Sequence, residues 1–494
     1  MDPSVFNLTS SNLDLCQQSL VIHNDLEYGL VQTKSGLRLA VLAATQPGHL
    51  ESFQGEVSEL KGQNLLVGPL NTHNANALRA NHDWLKPKLL GLHTSIGMGD
   101  RLGVATPGHV RAARHFQGKF SPIFAQQSMR EMSRTVRTPQ QVMDDATWGI
   151  FQEGWQAGVG ADADHLKTTA DIDACLDAGF TLFTIDPGSF VDQYPNSIRL
   201  NELRQLAEKL PTELQPRASS LMHKTFKIEN LELHFDEATL LKAAIKYGRA
   251  LAHVAVLSRH LAQVAGPRPY EMEISIDETD YPTSHAEHVY IVHELRRLGV
   301  QWVSLAPRFL GRFEKGVDYI GDLLDFESDF AGHAAIAREF GPYKLSLHSG
   351  SDKFSIYPIA MHQTKGMMHL KTAGTSYLEA LRTIALLDCN LLREIYAFSR
   401  ERYDVDKISY HVSADLARAP FPGDVIHWPE LLDHFDARQI LHVSFGSVLS
   451  EKDGKGQRRF YNRLMELLEA NPERYETNLE NHFKRHLESL FCVP

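Results

Sequence analysis

Residues 158–168 read GVGADADHLKT, which puts Asp162, Asp164, His165 and Lys167 within six positions, straight after a glycine-rich run. Carboxylate, imidazole and ammonium groups that close together can hold a metal, move a proton, or simply face water. Similar groups recur at the ends of other short apolar runs. Asp100 and Arg101 follow LLGLHTS (89–95), and Ser128 and Arg130 follow SPIFAQQ. Asp186 ends FTLFTIDPG (180–188), and Glu273 sits inside YEMEISIDETD (270–280), with Asp277 and Glu278 at its tip. Arg308, Arg312 and Glu314 follow WVSLAPRF (302–309). His348, Ser349, Ser351 and Lys353 follow YKLSL, and His369 and Lys371 lie in MHLKTAG (368–374). Imidazoles with carboxylates suit Zn, Mn, Fe, Co or Ni, and no soft Cys cluster competes. The chain has no HExxH, EF-hand or Walker motif, so the signal lies in convergence rather than spacing.

Each group also has a plain structural reading. Asp164 and His165 could open a helix as N-cap and first-turn residue. HSGSDK (348–353) reads either as an anion cradle or as an ordinary strand-to-helix turn. Glu273 alternates with Met272, Ile274 and Ile276, so it points into an apolar interior. A buried carboxylate there must be functional or paired, with Lys371 the nearest candidate partner in a barrel.

The elements that must carry these groups follow from the pattern. Most of the runs are short and rich in β-branched or aromatic residues, as strands are, and amphipathic helical patterns separate them, for example AEHVYIVHELRRLG (286–299) and YLEALRTIALLD (377–388). Alternation of strand and helix implies parallel pairing. About eight runs imply an α/β fold, a TIM-type (β/α)8 barrel, whose reactive groups gather where the strands end. Residues 1–85 are expected to form an N-terminal cap, and 86–374 the barrel with a helical insertion at about 190–268. Residues 375–494 are expected to hold the final barrel helix and a mostly helical C-terminal extension, with a strand-like run at QILHVSFGS (439–447).

Composition narrows the function. A net charge of −11 argues against a broad nucleic-acid face, which needs clustered Lys and Arg. No run approaches the roughly 20 apolar residues of a membrane helix. The N-terminal segment does not read as a signal peptide, and the four cysteines form no CxxC pair, so a cytoplasmic enzyme is expected. The partner is expected to be a small molecule, with a homo-oligomer left open.

GVGADADHLKT, EISIDETD, SLAPRFLGRFEKGVDYIGD and YKLSLHSGSDKFSIYP resemble the bacterial tagaturonate epimerase family, as do HTSIGMGDRLGVATPGH and MHLKTAGTSYLEAL. The resemblance covers most of residues 88–385. It implies a metal-dependent barrel enzyme that interconverts D-tagaturonate and D-fructuronate in hexuronate catabolism, with fructose and tagatose as related substrates. It implies Asp164 as proton acceptor, Glu273 as proton donor, and His165 and His348 as metal ligands. Glu314 is the expected third ligand, with Asp277 competing. The glycine-rich entry is expected to turn the backbone at the barrel mouth, and a bend must bring Asp164 and His165 to the same side.

An anionic substrate in an acidic protein needs local cations, so one or more of Arg130, Lys353 and Lys371 are expected to bind the carboxylate. The inverted carbon is not acidified directly by the ketone. Proton exchange between two bases and retro-aldol cleavage with re-addition both remain open. So do a class II-type metal-dependent aldolase or sugar isomerase on the same barrel, and a non-catalytic sugar-acid-binding protein.

Overall fold

Strands buried on both faces read as continuous apolar runs, and the central strands here are of that kind. The computed structural model describes residues 8, 13–43, 50–192, 198–211, 214–215 and 220–492. Eight parallel strands close into a barrel: β6 (Ser95–Gly97), β7 (Ser121–Ser128), β8 (Gly160–Leu166), β9 (Leu182–Ile185), β12 (Glu271–Ile276), β13 (Ser304–Pro307), β14 (Lys344–Leu347) and β15 (Met368–Lys371). Pairing of β15 with β6, His369 opposite Ser95, completes the ring. The remaining labels belong to strands outside it. β1 (Asp14–His23), β2 (Leu26–Thr33), β3 (Gly36–Ala43), β4 (Glu56–Leu60) and β5 (Gln63–Gly68) form an antiparallel sheet in the order β1-β2-β3-β5-β4. Much of the N-terminal segment read for a signal peptide lies outside the described residues.

The structure corrects three local expectations. The first barrel strand begins at Ser95 rather than Leu89. The backbone N–H groups of Leu90 and Gly91 donate to the Glu271 carboxylate at 2.9 and 2.5 Å, so this stretch closes the barrel floor instead of extending a strand. The segment between β9 and β12 is not purely helical. A hairpin, β10 (Thr225–Ile228) with β11 (Leu231–His234), precedes the long helix Glu237–Ala265. The expected insertion also spans 193–197, 212–213 and 216–219, which lie outside the described residues. Finally, QILHVSFGS is not a strand. It lies across the helices Phe435–Val443 and Phe445–Ser450, where Ile440, Leu441, Val443 and Phe445 are all buried. Burial around the whole circumference overrides the local strand signal.

The last helix, Pro472–Phe491, runs along the helix Thr106–Arg114 that follows β6. Gly108 makes room for it, since a Cβ there would stand 2.7 Å from Leu479 Cβ. No described helix is long and apolar enough to cross a membrane.

Candidate active site

The bend needed at the end of β8 is present. The register of β8 against β9 shifts between Ala163 and Leu166, and His165 takes a left-handed φ of 55°. A bulge of this kind re-aims a side chain, so Asp164 and His165 share one side, with His165 Nδ1 2.7 Å from Asp164 Oδ1. The glycines act elsewhere than expected. Gly160 starts the strand at the barrel floor, where a Cβ would stand 2.6 Å from Leu90 Cδ1. The turn at the mouth is made by His165 itself.

Lys371, at the end of β15, ties the site together. Its Nζ donates to Asp164 Oδ1 at 2.6 Å and Thr184 Oγ1 at 2.7 Å. It also lies 3.0 Å from Asp162 Oδ2 and 2.9 Å from Glu273 Oε1. Glu273 therefore has the lysine partner foreseen as its structural explanation, yet it also reaches a second cavity-lining group. His348 Nε2 lies 2.7 Å from the same Oε1, while Oε2 is buried with no hydrogen-bond partner. On its other side His348 Nδ1 faces Asp277 Oδ1 at 3.3 Å.

Burial alone would raise these carboxyls, but neighbouring positive charge outweighs it. His165 and Lys371 hold Asp164 well below the usual carboxylate range. Lys371 and His348 do the same for Glu273, and His348 for Asp277. Burial disfavours a charged His348, yet Asp277 and Glu273 push it up to about 10.

The loop that carries His348 is pinned from behind. Asp352 accepts from Arg438 Nη2 at 2.8 Å and from His482 Nε2 at 2.7 Å, and its own N–H donates to His486 Nε2 at 3.0 Å. His482 and His486 belong to the last helix, so the C-terminal segment braces the loop. The arrangement satisfies a buried charge on both sides, as a stable buried ion pair requires.

Asp164, His165, His348, Arg130 and Lys371 all line one cavity, with Asp277 and Glu278. Donor atoms of Asp164, His165 and His348 lie within 4.8 Å of one another. Two imidazoles and a carboxylate, with the orphaned Glu273 oxygen beside them, fit a divalent ion of the zinc or manganese type. Asp162, part of the opening cluster, holds Lys371. Sequence reasoning missed several contributors: Thr184 also holds Lys371, and Tyr410, His411 and His442 line the cavity from beyond the barrel.

Two expected roles do not fit the geometry. Glu314 lines the cavity but stands apart from the two imidazoles. Its Oε2 accepts from Ser413 N, Ser413 Oγ and Gln439 Nε2 at 2.9, 2.7 and 2.9 Å, which anchors the C-terminal segment instead. Asp164 takes its place beside His165 and His348. Lys353 is fully buried, off the cavity, and donates to the carbonyls of Glu314, Val317 and Ser351. Burial pushes its ammonium below the usual lysine range, and the three carbonyls satisfy all three protons. Lys353→Met should therefore lower stability by about 3 kcal/mol or more, because three buried acceptors lose their donor. Denaturant unfolding measures the loss. A selective rise in KM for acidic substrates at unchanged stability would contradict it.

Comparison with known proteins gives consistent results. A family model described as tagaturonate epimerase matches residues 16–490. The curated tagaturonate/fructuronate epimerase of Thermotoga maritima is 42% identical over 471 residues, 94% of this chain and 95% of that one. The native crystal structure of the fructuronate-tagaturonate epimerase from Cohnella laeviribosi is similar with a TM-score of 0.91 at 35% identity, over 98% of this chain and 97% of that one. Its complex with one glycerol gives a TM-score of 0.90 at 35% identity, over 97% and 96%.

Proposed function

The chain belongs to the tagaturonate epimerase family, and from that premise we propose that it interconverts D-tagaturonate and D-fructuronate with the help of a divalent metal ion. The observation that carries this reading is the convergence of Asp164 and Glu273 on one ammonium, Lys371 Nζ, beside His165 and His348. A binding protein for an anionic sugar has no need of two carboxylates sharing one ammonium at the cavity wall.

The acceptor and donor roles are those the family resemblance implies, since both carboxyls are held ionised. Asp164, held ionised, accepts the proton that leaves the substrate. Lys371 touches both carboxylates, so a proton can pass from one to the other without entering bulk water. Glu273, with one oxygen unpartnered, returns a proton from the other side. His165, His348 and Asp164 would hold the metal, which supplies Lewis-acid polarisation of the substrate's carbonyl and hydroxyl oxygens. Charge supports its presence. With both imidazoles neutral, Asp162, Asp164 and Glu273 share a single ammonium, and Asp277 faces His348. Protons on the imidazoles or a divalent cation between them offset that surplus. Neutral fructose and tagatose, which share the carbon skeleton, belong to the same reading as poorer substrates, and the cytoplasm is its setting.

The test is an assay of the purified protein on fructuronate, tagaturonate, fructose and tagatose, before and after chelation. Conversion between the two uronates, lost with the metal and restored by Zn, Mn, Fe, Co or Ni, is the expected result. Full activity in protein shown to be metal-free would overturn the metal assignment. Release of three-carbon products without the epimer would point to an aldolase.

A further inference from the structure

Six cationic side chains line the cavity: Arg101, Arg130, Arg308, Arg312, Lys315 and Lys371. Four already face carboxylates. Arg101 holds Glu131 through two donors, the longer at 2.9 Å. Arg130 meets Glu278 at 3.3 Å, Arg312 meets Glu314 at 3.5 Å, and Lys371 is held by three acidic groups. Lys315 and Arg308 are different: among the described residues neither forms an ion pair with a carboxylate. Lys315 Nζ donates to a neutral hydroxyl, Ser349 Oγ, at 2.6 Å. Arg308 reaches the Asp277 carbonyl at 3.5 Å, and its Nε is buried with no hydrogen-bond partner.

This leaves positive charge uncompensated in a partly closed cleft. Burial pushes the Lys315 ammonium down, and Arg130 adds to the push. A cation in that position is costly unless a ligand brings the missing negative charge. The place suits a sugar acid. Ser349 directly follows His348, so the Lys315–Ser349 pair stands beside one of the two imidazoles, in the cavity that Asp164 also lines. In these hexuronates the carboxylate carbon lies two bonds from the carbon that is inverted.

We infer that Lys315, with Ser349 and Arg308, forms the subsite that reads the substrate's carboxylate and sets the preference for hexuronates over neutral ketohexoses. This rests on the epimerase reading above. It moves the role expected of Lys353 and Lys371 to a lysine that has no carboxylate of its own.

The test uses the full-length, metal-loaded protein and two substrates of one skeleton, fructuronate and its neutral C6 amide. Lys315→Gln should raise KM for fructuronate about 10- to 100-fold, the range of one lost charge-assisted hydrogen bond. Its KM for the amide should rise at least ten times less, and kcat for the uronate should fall less than KM rises. Lys315→Arg should recover part of the loss. Ser349→Ala, which keeps the charge, should show a smaller rise of about 3- to 10-fold and serves if Lys315→Gln does not fold. Equal losses on uronate and amide, or an unmoved uronate KM in a stable variant, would overturn the subsite. A parent enzyme that converts neither uronate would instead overturn the epimerase reading itself.

Discussion

Turnover in the Asp164→Asn and Glu273→Gln proteins is expected to fall by about 100-fold or more each, with the fold and the uronate affinity largely kept. Both side chains contact Lys371; Asp164 lines the cavity, and Glu273 is buried and joined to it through Lys371 and His348, which also line it. Inversion at carbon needs access to two faces, so neither carboxylate can do the work of its partner. A carboxamide keeps the size of the side chain but neither takes nor gives the proton. Solvent deuterium refines the result, because exchange between two bases labels the inverted carbon and retro-aldol chemistry need not. If Glu273 served only to pair with Lys371, Glu273→Gln would melt earlier while kcat stayed close to the parent. Full activity in either variant would end the two-carboxylate account.

Lys371→Met should be the most damaging single change to the site as a whole. It removes the one ammonium shared by Asp162, Asp164 and Glu273, all of them buried. Breaking a buried pair by deleting one partner costs about 3–5 kcal/mol, and here three charges lose the same partner. The sign of the pH effect follows. Without the lysine the native carboxylates bind protons more tightly than in the unfolded chain, so the variant's deficit should shrink as pH falls from 8 towards 5. Unfolding curves across that range measure it, alongside a turnover loss of about 100-fold or more from the broken proton path. A variant as stable as the parent, with the parent's pH dependence, would show that the lysine does not neutralise these groups.

Much of the barrel was legible because parallel strands are buried on both faces and therefore write themselves as apolar runs with polar ends. Asp164, His165, His348 and Lys371 stood at such ends and Glu273 inside its run, and the structure brings them together. The misplaced residues failed for a definable reason. HSGSDK has the composition of an anion cradle, and only the carbonyls of Glu314 and Val317, contributed by another loop, show that Lys353 is a buried strut. Glu314 looked available because Ser413 and Gln439, which occupy its carboxylate, are about a hundred residues away. Tyr410, His411 and His442 were invisible because no strand end marks the segments that bring them to the cavity. Lys315 was passed over inside RFLGRFEKG, where nothing local distinguishes a cation with a carboxylate partner from one without.

The brace behind His348 has a consequence for how the protein is made. All eight barrel strands have left the ribosome once Lys371 has emerged, yet Asp352 still lacks Arg438, His482 and His486. The ring can close first, but the loop bearing one of its key imidazoles is fixed only after the last helix has been synthesised and has docked. A nascent or clipped chain that ends before Pro472 thus holds every barrel strand and leaves a buried aspartate facing one arginine alone. Competence is acquired in a final step, and damage to the C-terminal helix would silence a centre built from residues more than a hundred positions upstream.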